Sequence, residues 1–216
     1  LTPRTFLTNL GPRQERLDTY KELFYLHPSV FTPDKQVLRD CGFNPDEPYI
    51  LVRFVAWNAS HDIGKHGLDD EGKIRLVKRL GRFGRVYVSA EGDVPEALRP
   101  KLLKTPYELI HHVLAFAQLV FSEGATMASE AAVLGTHALY VNTIVSGSTM
   151  EQSERFHLLY CFNEGEDRYE RAAAQAEELL AMPDLKAQGL EKQKKLLSEK
   201  VDINGYYMAE MDRLAR

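Results

Sequence analysis

The chain has 216 residues, of which 44% are hydrophobic and 27% charged, enough for one large soluble domain or about one and a half average ones. Its net charge of −4 excludes a general attraction to nucleic acid or to an anionic membrane surface, and no apolar run approaches the ~20 residues of a membrane span. Cys41 and Cys161 lie far apart and form no metal-ligand spacing, which favours a reduced, cytoplasmic setting. The sequence shows no signal-peptide pattern and opens on Leu1-Thr-Pro-Arg. The absent initiator Met suggests a piece of a longer protein, although processing would produce the same start.

Residues 1–48 spread six prolines, from Pro3 to Pro48, among charged and aromatic residues, and are expected to form an irregular arm or interdomain linker. Tyr20-Lys-Glu-Leu-Phe-Tyr-Leu-His-Pro28 is apolar enough to pack on something. Tyr49-Ile-Leu-Val-Arg-Phe-Val55 is a nearly continuous apolar run, which suits a strand covered on both faces. Ile74, Val77 and Leu80 stand at helical spacing within 70–82, and Arg85-Val-Tyr-Val-Ser89 is the next strand. A helix is predicted over 107–117, strands near 118–121 and 138–141, and a last strand over Leu158-Leu-Tyr-Cys-Phe162. Strands alternating with helices predict an α/β, doubly wound, Rossmann-like parallel sheet over 49–165. From 166 to 216 the pattern turns helical, with Ala172–Ala181, Leu185–Leu197 and Tyr206–Leu214 divided by Pro183 and Asn204-Gly205.

Ligands of open α/β sheets bind beyond the carboxyl ends of the strands. Four such ends here carry small and polar residues: Ala56–Gly67, Ala90-Glu-Gly92, Ser122-Glu-Gly-Ala-Thr126 and Asn142–Gly147. The third is the most informative. A short turn at Gly124 from a buried strand into a small-residue helix would aim unpaired N–H groups at a phosphate. Glu123 and Glu130 flank that turn, and a carboxylate beside a phosphate is unfavourable unless it accepts from hydroxyls such as those of ribose. Ala125, Ala128 and Ala131 leave the helix start uncrowded, with Ser129 beside them. The competing reading is structural: Thr126 caps the helix and Glu130 complements its dipole.

The loop after the first strand holds Trp57, Asn58, His61, Asp62 and Gly64, with His61 a candidate acid–base residue and Asp62 its candidate partner. His61 and His66, five apart, are a weak metal signal, and no metal site is assigned. His111-His112 falls inside an apolar helical pattern, where core packing or a surface position is expected. Lys104-Thr-Pro-Tyr107 precedes that helix and offers Pro106 and Tyr107 to a base pocket, or forms only a turn. The chain contains no Gly-x-Ser-x-Gly elbow, Walker loop or Gly-x-Gly-x-x-Gly after the first strand, which argues against serine hydrolases, P-loop NTPases and ordinary NAD dehydrogenases.

Ser122-Glu-Gly-Ala-Thr-Met-Ala-Ser-Glu-Ala-Ala-Val-Leu-Gly resembles the donor-site motif of two-domain, B-fold glycosyltransferases and of UDP-N-acetylglucosamine 2-epimerase. Arg53-Phe-Val-Ala-Trp-Asn-Ala-Ser-His-Asp-Ile-Gly and Tyr20-Lys-Glu-Leu-Phe-Tyr-Leu-His-Pro resemble an uncharacterised archaeal and bacterial family related to them. The resemblance implies the C-terminal half of a B-type fold, with a helical tail and an N-terminal acceptor domain outside this chain. It implies that Glu130 holds the ribose hydroxyls, that Gly124, Ala125 and Thr126 cradle the diphosphate of a UDP-sugar, and that Pro106 and Tyr107 meet the uracil. Trp57 to Gly64 would face the sugar or the interdomain cleft. The epimerase's His-Arg-Arg is replaced by Asn58-Ala59-Ser60, and its Ser-Gly-Gly phosphate turn by Gly-Ala-Thr, so epimerase chemistry does not transfer. The expected partner is a nucleotide sugar as substrate with no cofactor, and the expected fragment is inactive alone; homo-oligomer formation stays open. The rival readings are a non-catalytic nucleotide-sensing or scaffold domain and a Rossmann oxidoreductase.

Overall fold

The computed structural model describes residues 1–56 and 67–214. Its centre is a five-stranded, wholly parallel sheet. The strands are β3 (Tyr49–Phe54), β4 (Arg85–Ala90), β5 (Leu119–Ser122), β6 (Ala138–Val141) and β7 (Leu159–Phe162), ordered β4-β3-β5-β6-β7. β1 (Thr2–Pro3) and β2 (Arg16–Leu17) form a separate parallel pair. Strand order reverses between β3 and β5, which places a crevice at their carboxyl ends.

The period-2 geometry of the strands sorts their side chains into two cores. Ile50, Val52, Phe54, Phe121, Leu139 and Val141 face α3 (Asp70–Leu80) and α7 (Arg168–Leu180). Tyr49, Leu51, Val120, Ala138 and Tyr140 face α4 (Ile110–Phe116) and α5 (Ala125–Val133). Both faces are covered, which is why the strands read as continuous apolar runs. Helix α7 supplies buried Ala172, Ala176 and Leu179 to one core, and Leu196 of α8 (Leu185–Glu199) enters the other.

The first 48 residues depart from the irregular arm of the sequence reading. They hold α1 (Leu23–Leu26) and α2 (Lys35–Asp40), and they bury Tyr20, Leu23, Leu26, Leu38 and Phe43 in the core beside α4 and α5. Helices this short have no stability of their own, so packing rather than periodicity specifies them. Asp34 caps α2 by accepting from the Gln36 N–H at 2.7 Å. Helix α9 (Ile203–Leu214) begins earlier than expected, because Asp202 accepts from the Asn204 N–H and places Asn204-Gly205 in the first turn instead of a break.

Helix α6 (Gly147–Glu154) has no clear apolar period and was not expected. The arm lies directly on its start. A Cβ built on Gly147 would overlap the Thr5 carbonyl oxygen, far inside contact distance. Gly147→Ala should therefore lift residues 1–8 from α6, destabilising the chain by about 1–3 kcal/mol. Faster tryptic cleavage at Arg4 and Arg13 than in the parent would register it; an unchanged digestion rate would contradict this packing.

The arm is also tied to the end of α8. The Lys200 ammonium, with its side chain 1% exposed, donates to Asp18 at 2.6 Å and to Glu151 at 2.7 Å. It lies 4.6 Å from the centre of the Tyr20 ring, whose hydroxyl donates to the same Glu151.

Candidate functional site

The turn from β5 into α5 is built by Ser122. Its hydroxyl donates to the Gly124 carbonyl at 2.8 Å and accepts from the Gly124 N–H at 3.0 Å. Gly124 is the N-cap, at φ −99° and ψ 125°, an extended conformation open to any residue. Glycine is therefore not needed there for its backbone angles; what it supplies is a bare approach to the helix start. No side chain caps α5, so the first-turn amides of Ala125, Thr126 and Met127 lack intrahelical acceptors. Thr126 is exposed inside that first turn and does not cap it. Glu130 lies beyond the first turn, where dipole complementation has faded. Both halves of the structural reading of this loop therefore fail on geometry.

Glu123 and Glu130 have opposite surroundings. Glu123 is fully buried: its carboxylate accepts from the Val55 N–H at 2.9 Å and the Tyr169 hydroxyl at 2.6 Å. Its carbonyl accepts from the Asn142 side chain at 2.9 Å. Burial, and then the nearby Glu123 charge, push the Tyr169 phenol up from its ordinary value. Glu123 thus joins the ends of β3, β5 and β6 to α7 and fixes the turn, its carboxylate directed into the protein rather than toward solvent.

Glu130 is 8% exposed, and one of its oxygens is oriented by two side chains. Oε1 accepts from the Tyr25 hydroxyl at 2.9 Å and lies 3.2 Å from His111 Nε2, which serves as donor to a carboxylate. The Tyr25 and His111 rings are stacked obliquely, with centres 5.4 Å apart. Burial first, and the Glu130 charge second, raise the Tyr25 phenol, which keeps it a proton donor. Oε2 has no hydrogen-bond partner among the described residues. The pair thus aims a half-committed carboxylate from one turn inside a helix whose opening amides are unpaired. Tyr25 and His111 were invisible as site residues in the sequence, Tyr25 lying 105 positions from Glu130. The two adjacent histidines have separate duties: His112 Nδ1 accepts from the Asp34 N–H at 3.0 Å, and burial lowers its pKa.

Beyond β3 and β4 a hollow of about 410 Å³ is lined by Arg53, Ser89, Glu91, Thr105, Tyr107 and Ile110. Arg53 donates to Ser89 at 2.8 Å and to Glu91 at 2.5 Å, forming a polar floor. Pro106 precedes the short 3-10 helix Tyr107–Leu109, and Tyr107 is 74% exposed at the rim. On the other side of α5, Ala125, Thr126 and Ser129 line a cavity of about 480 Å³. Ser129 is buried there and accepts from Gln152 of α6 at 2.8 Å. Trp57, Asn58, His61, Asp62 and Gly64 lie outside the described residues. Among the described residues no three His, Cys, Asp or Glu side chains gather as a metal site, and no helix is long and apolar enough to cross a membrane.

No protein-family model matches the chain, and no curated protein matches it. Solved structures do. A spinosyn rhamnosyltransferase superposes with a TM-score of 0.53 at 10% identity, over 96% of this chain and 54% of its own. A putative UDP-N-acetylglucosamine 2-epimerase from Listeria monocytogenes gives 0.52 at 13% identity, over 83% and 47%. The glycotransferase of kitacinnamycin gives 0.51 at 13%, over 76% and 43%. The chain spans about half the length of the structures it matches. At these identities the likeness is one of fold: this chain has the Rossmann-like α/β fold that makes up half of a B-type glycosyltransferase.

Proposed function

We propose that the chain binds a nucleoside-diphosphate sugar, a UDP-sugar in the first instance, as the donor-binding domain of a glycosyltransferase-like or sugar-epimerase-like enzyme. The reading rests above all on Glu130, held by Tyr25 and His111 with one oxygen uncommitted, beside the uncapped start of α5. Unpaired amides and the helix dipole attract a diphosphate, and a carboxylate set one turn further accepts from a vicinal diol. The hollow at Arg53, Thr105 and Tyr107 would take the base. In a transfer reaction the leaving diphosphate gains negative charge as the glycosidic bond breaks. Preorganised amides at α5 would stabilise that charge without reorganisation. Acceptor-side groups would come from another domain.

Calorimetric titration with UDP, thymidine diphosphate, GDP, CMP and NAD checks this. UDP is expected to bind the chain in preference to GDP, CMP and NAD. No turnover of UDP-glucose or UDP-N-acetylglucosamine by the isolated chain is expected. Binding of NAD without any nucleoside diphosphate would point to the oxidoreductase fold relatives, and turnover by the chain alone would refute the need for a second domain.

A further inference from the structure

Tyr25, which orients Glu130, belongs to a helix of four residues, too short to hold its own position. Leu23 and Leu26 bury in the core beside α5 and set how deep α1 sits. Apolar contact has no direction, however, so it leaves the rotation of α1 about its own axis open. Tyr25 stands on the exposed side of α1, and its hydrogen bond to Glu130 at 2.9 Å depends on that rotation.

Directional contacts to this segment come from the far end of the chain. The Val201 N–H donates to the Asp18 carbonyl at 2.9 Å, and the Val201 carbonyl accepts from the Thr19 hydroxyl at 3.1 Å. The Asn204 side-chain amide donates at 3.3 Å to the carbonyl of Leu23, one of those that the end of so short a helix leaves unsatisfied. One turn further along α9, the Tyr207 ring meets Phe24 edge-on, with centres 5.9 Å apart. Between these two holds, Leu23, Phe24 and Tyr25 donate their backbone N–H groups to the Tyr20, Lys21 and Glu22 carbonyls at 3.1 to 3.2 Å. Successive tight turns therefore join the residues gripped by the tail to Tyr25 with no slack link.

We infer that Asn204 and Tyr207 are positioning residues for Glu130: α9 fixes the rotation of α1, α1 fixes Tyr25, and Tyr25 fixes the carboxylate. The inference rests on the nucleotide-sugar reading above. It makes nucleotide affinity depend on the C-terminal helix, although no described residue of α9 bonds to Glu130 or lines the hollows at Ser129 and Arg53. Its test is calorimetric titration with UDP, at a temperature where every protein is folded, of the parent, Asn204→Asp/Tyr207→Ala, Tyr25→Phe and the three changes combined. Asn204→Asp keeps the side chain's shape and suits the first turn of a helix, but removes the donor to Leu23. The tail pair should weaken UDP binding by about threefold or more in the parent, yet by less than about 1.5-fold once Tyr25 is phenylalanine, because both act through one hydroxyl. Using Tyr207→Phe in place of Tyr207→Ala keeps the edge contact and should recover part of the loss. Unchanged affinity in the tail pair, or an equal loss with and without the Tyr25 hydroxyl, overturns this inference and leaves the nucleotide reading standing. Failure of the parent to bind UDP removes that reading itself, and this one with it. If the pair does not fold, Tyr207→Ala alone decides, since Tyr207 lies at the surface: its loss should be present in the parent and absent in Tyr25→Phe, and any other result overturns the assignment.

Discussion

Replacing Glu130 with alanine should weaken UDP binding by about 1–3 kcal/mol, a loss of roughly 5- to 150-fold in affinity. The size follows from what the carboxylate does. Tyr25 and His111 occupy one oxygen and fix its direction, so the other meets a diol without further ordering. Preorganisation of this kind makes a hydrogen bond to a charged group stronger than an average one. The fold should lose little, because Tyr25 and His111 are partly exposed and their freed donors can find water. Tyr25→Phe, which removes one orienting bond, should cost a smaller part of the same affinity. Calorimetric titration of the three proteins with UDP is the measurement. An unchanged dissociation constant for Glu130→Ala, coupled to a lowered melting temperature, would make the carboxylate structural and end the nucleotide reading.

Lys200→Met should cost about 3 kcal/mol of stability at neutral pH, at the lower end for breaking a buried ionic cluster, and lower Tm by roughly 6–12 °C. Methionine fills the space between the Tyr20 and Phe156 rings, so packing is largely kept. The loss is the ammonium shared by Asp18 and Glu151. Burial alone would raise both carboxyls, yet the Lys200 hydrogen bonds and charge hold them below their ordinary values of 3.8 and 4.5. A depressed folded pKa gives stability that is complete above the unfolded pKa and is lost as pH falls through the folded one. The parent's advantage over Lys200→Met should therefore be full at pH 7 and shrink below about pH 4, as both carboxyls protonate. Urea unfolding at pH 7, 5 and 3 checks it, and a deficit independent of pH would mean that packing, not charge, was lost.

The two substitutions probe features of different legibility. The α5 segment was readable because its chemistry is local: a buried strand, a short turn, small residues and a carboxylate one turn in all lie between Leu119 and Glu130. The same local view offered both Glu123 and Glu130 as site carboxylates flanking the turn, with the ribose given to Glu130. They part only because β3 brings the Val55 N–H, and α7 the Tyr169 hydroxyl, to Glu123, while α4 brings His111 to Glu130. The capping reading of Thr126 also looked sound locally, and it fails because the chain enters the helix two residues earlier, at Gly124.

Periodicity sufficed for the five strands of the central sheet, for α3, α4 and α7, and for a parallel sheet with both faces covered, since burial on a strand or helix repeats at intervals set by backbone geometry. It could say nothing of α1, α2 or α6, whose few residues are ordered by what they rest on, nor of Tyr25 and Lys200. Those groups acquire meaning from partners as distant along the chain as Glu130 is from Tyr25 and Asp18 from Lys200. Pairing across such separations depends on strand order and helix docking, which no window of neighbouring residues contains.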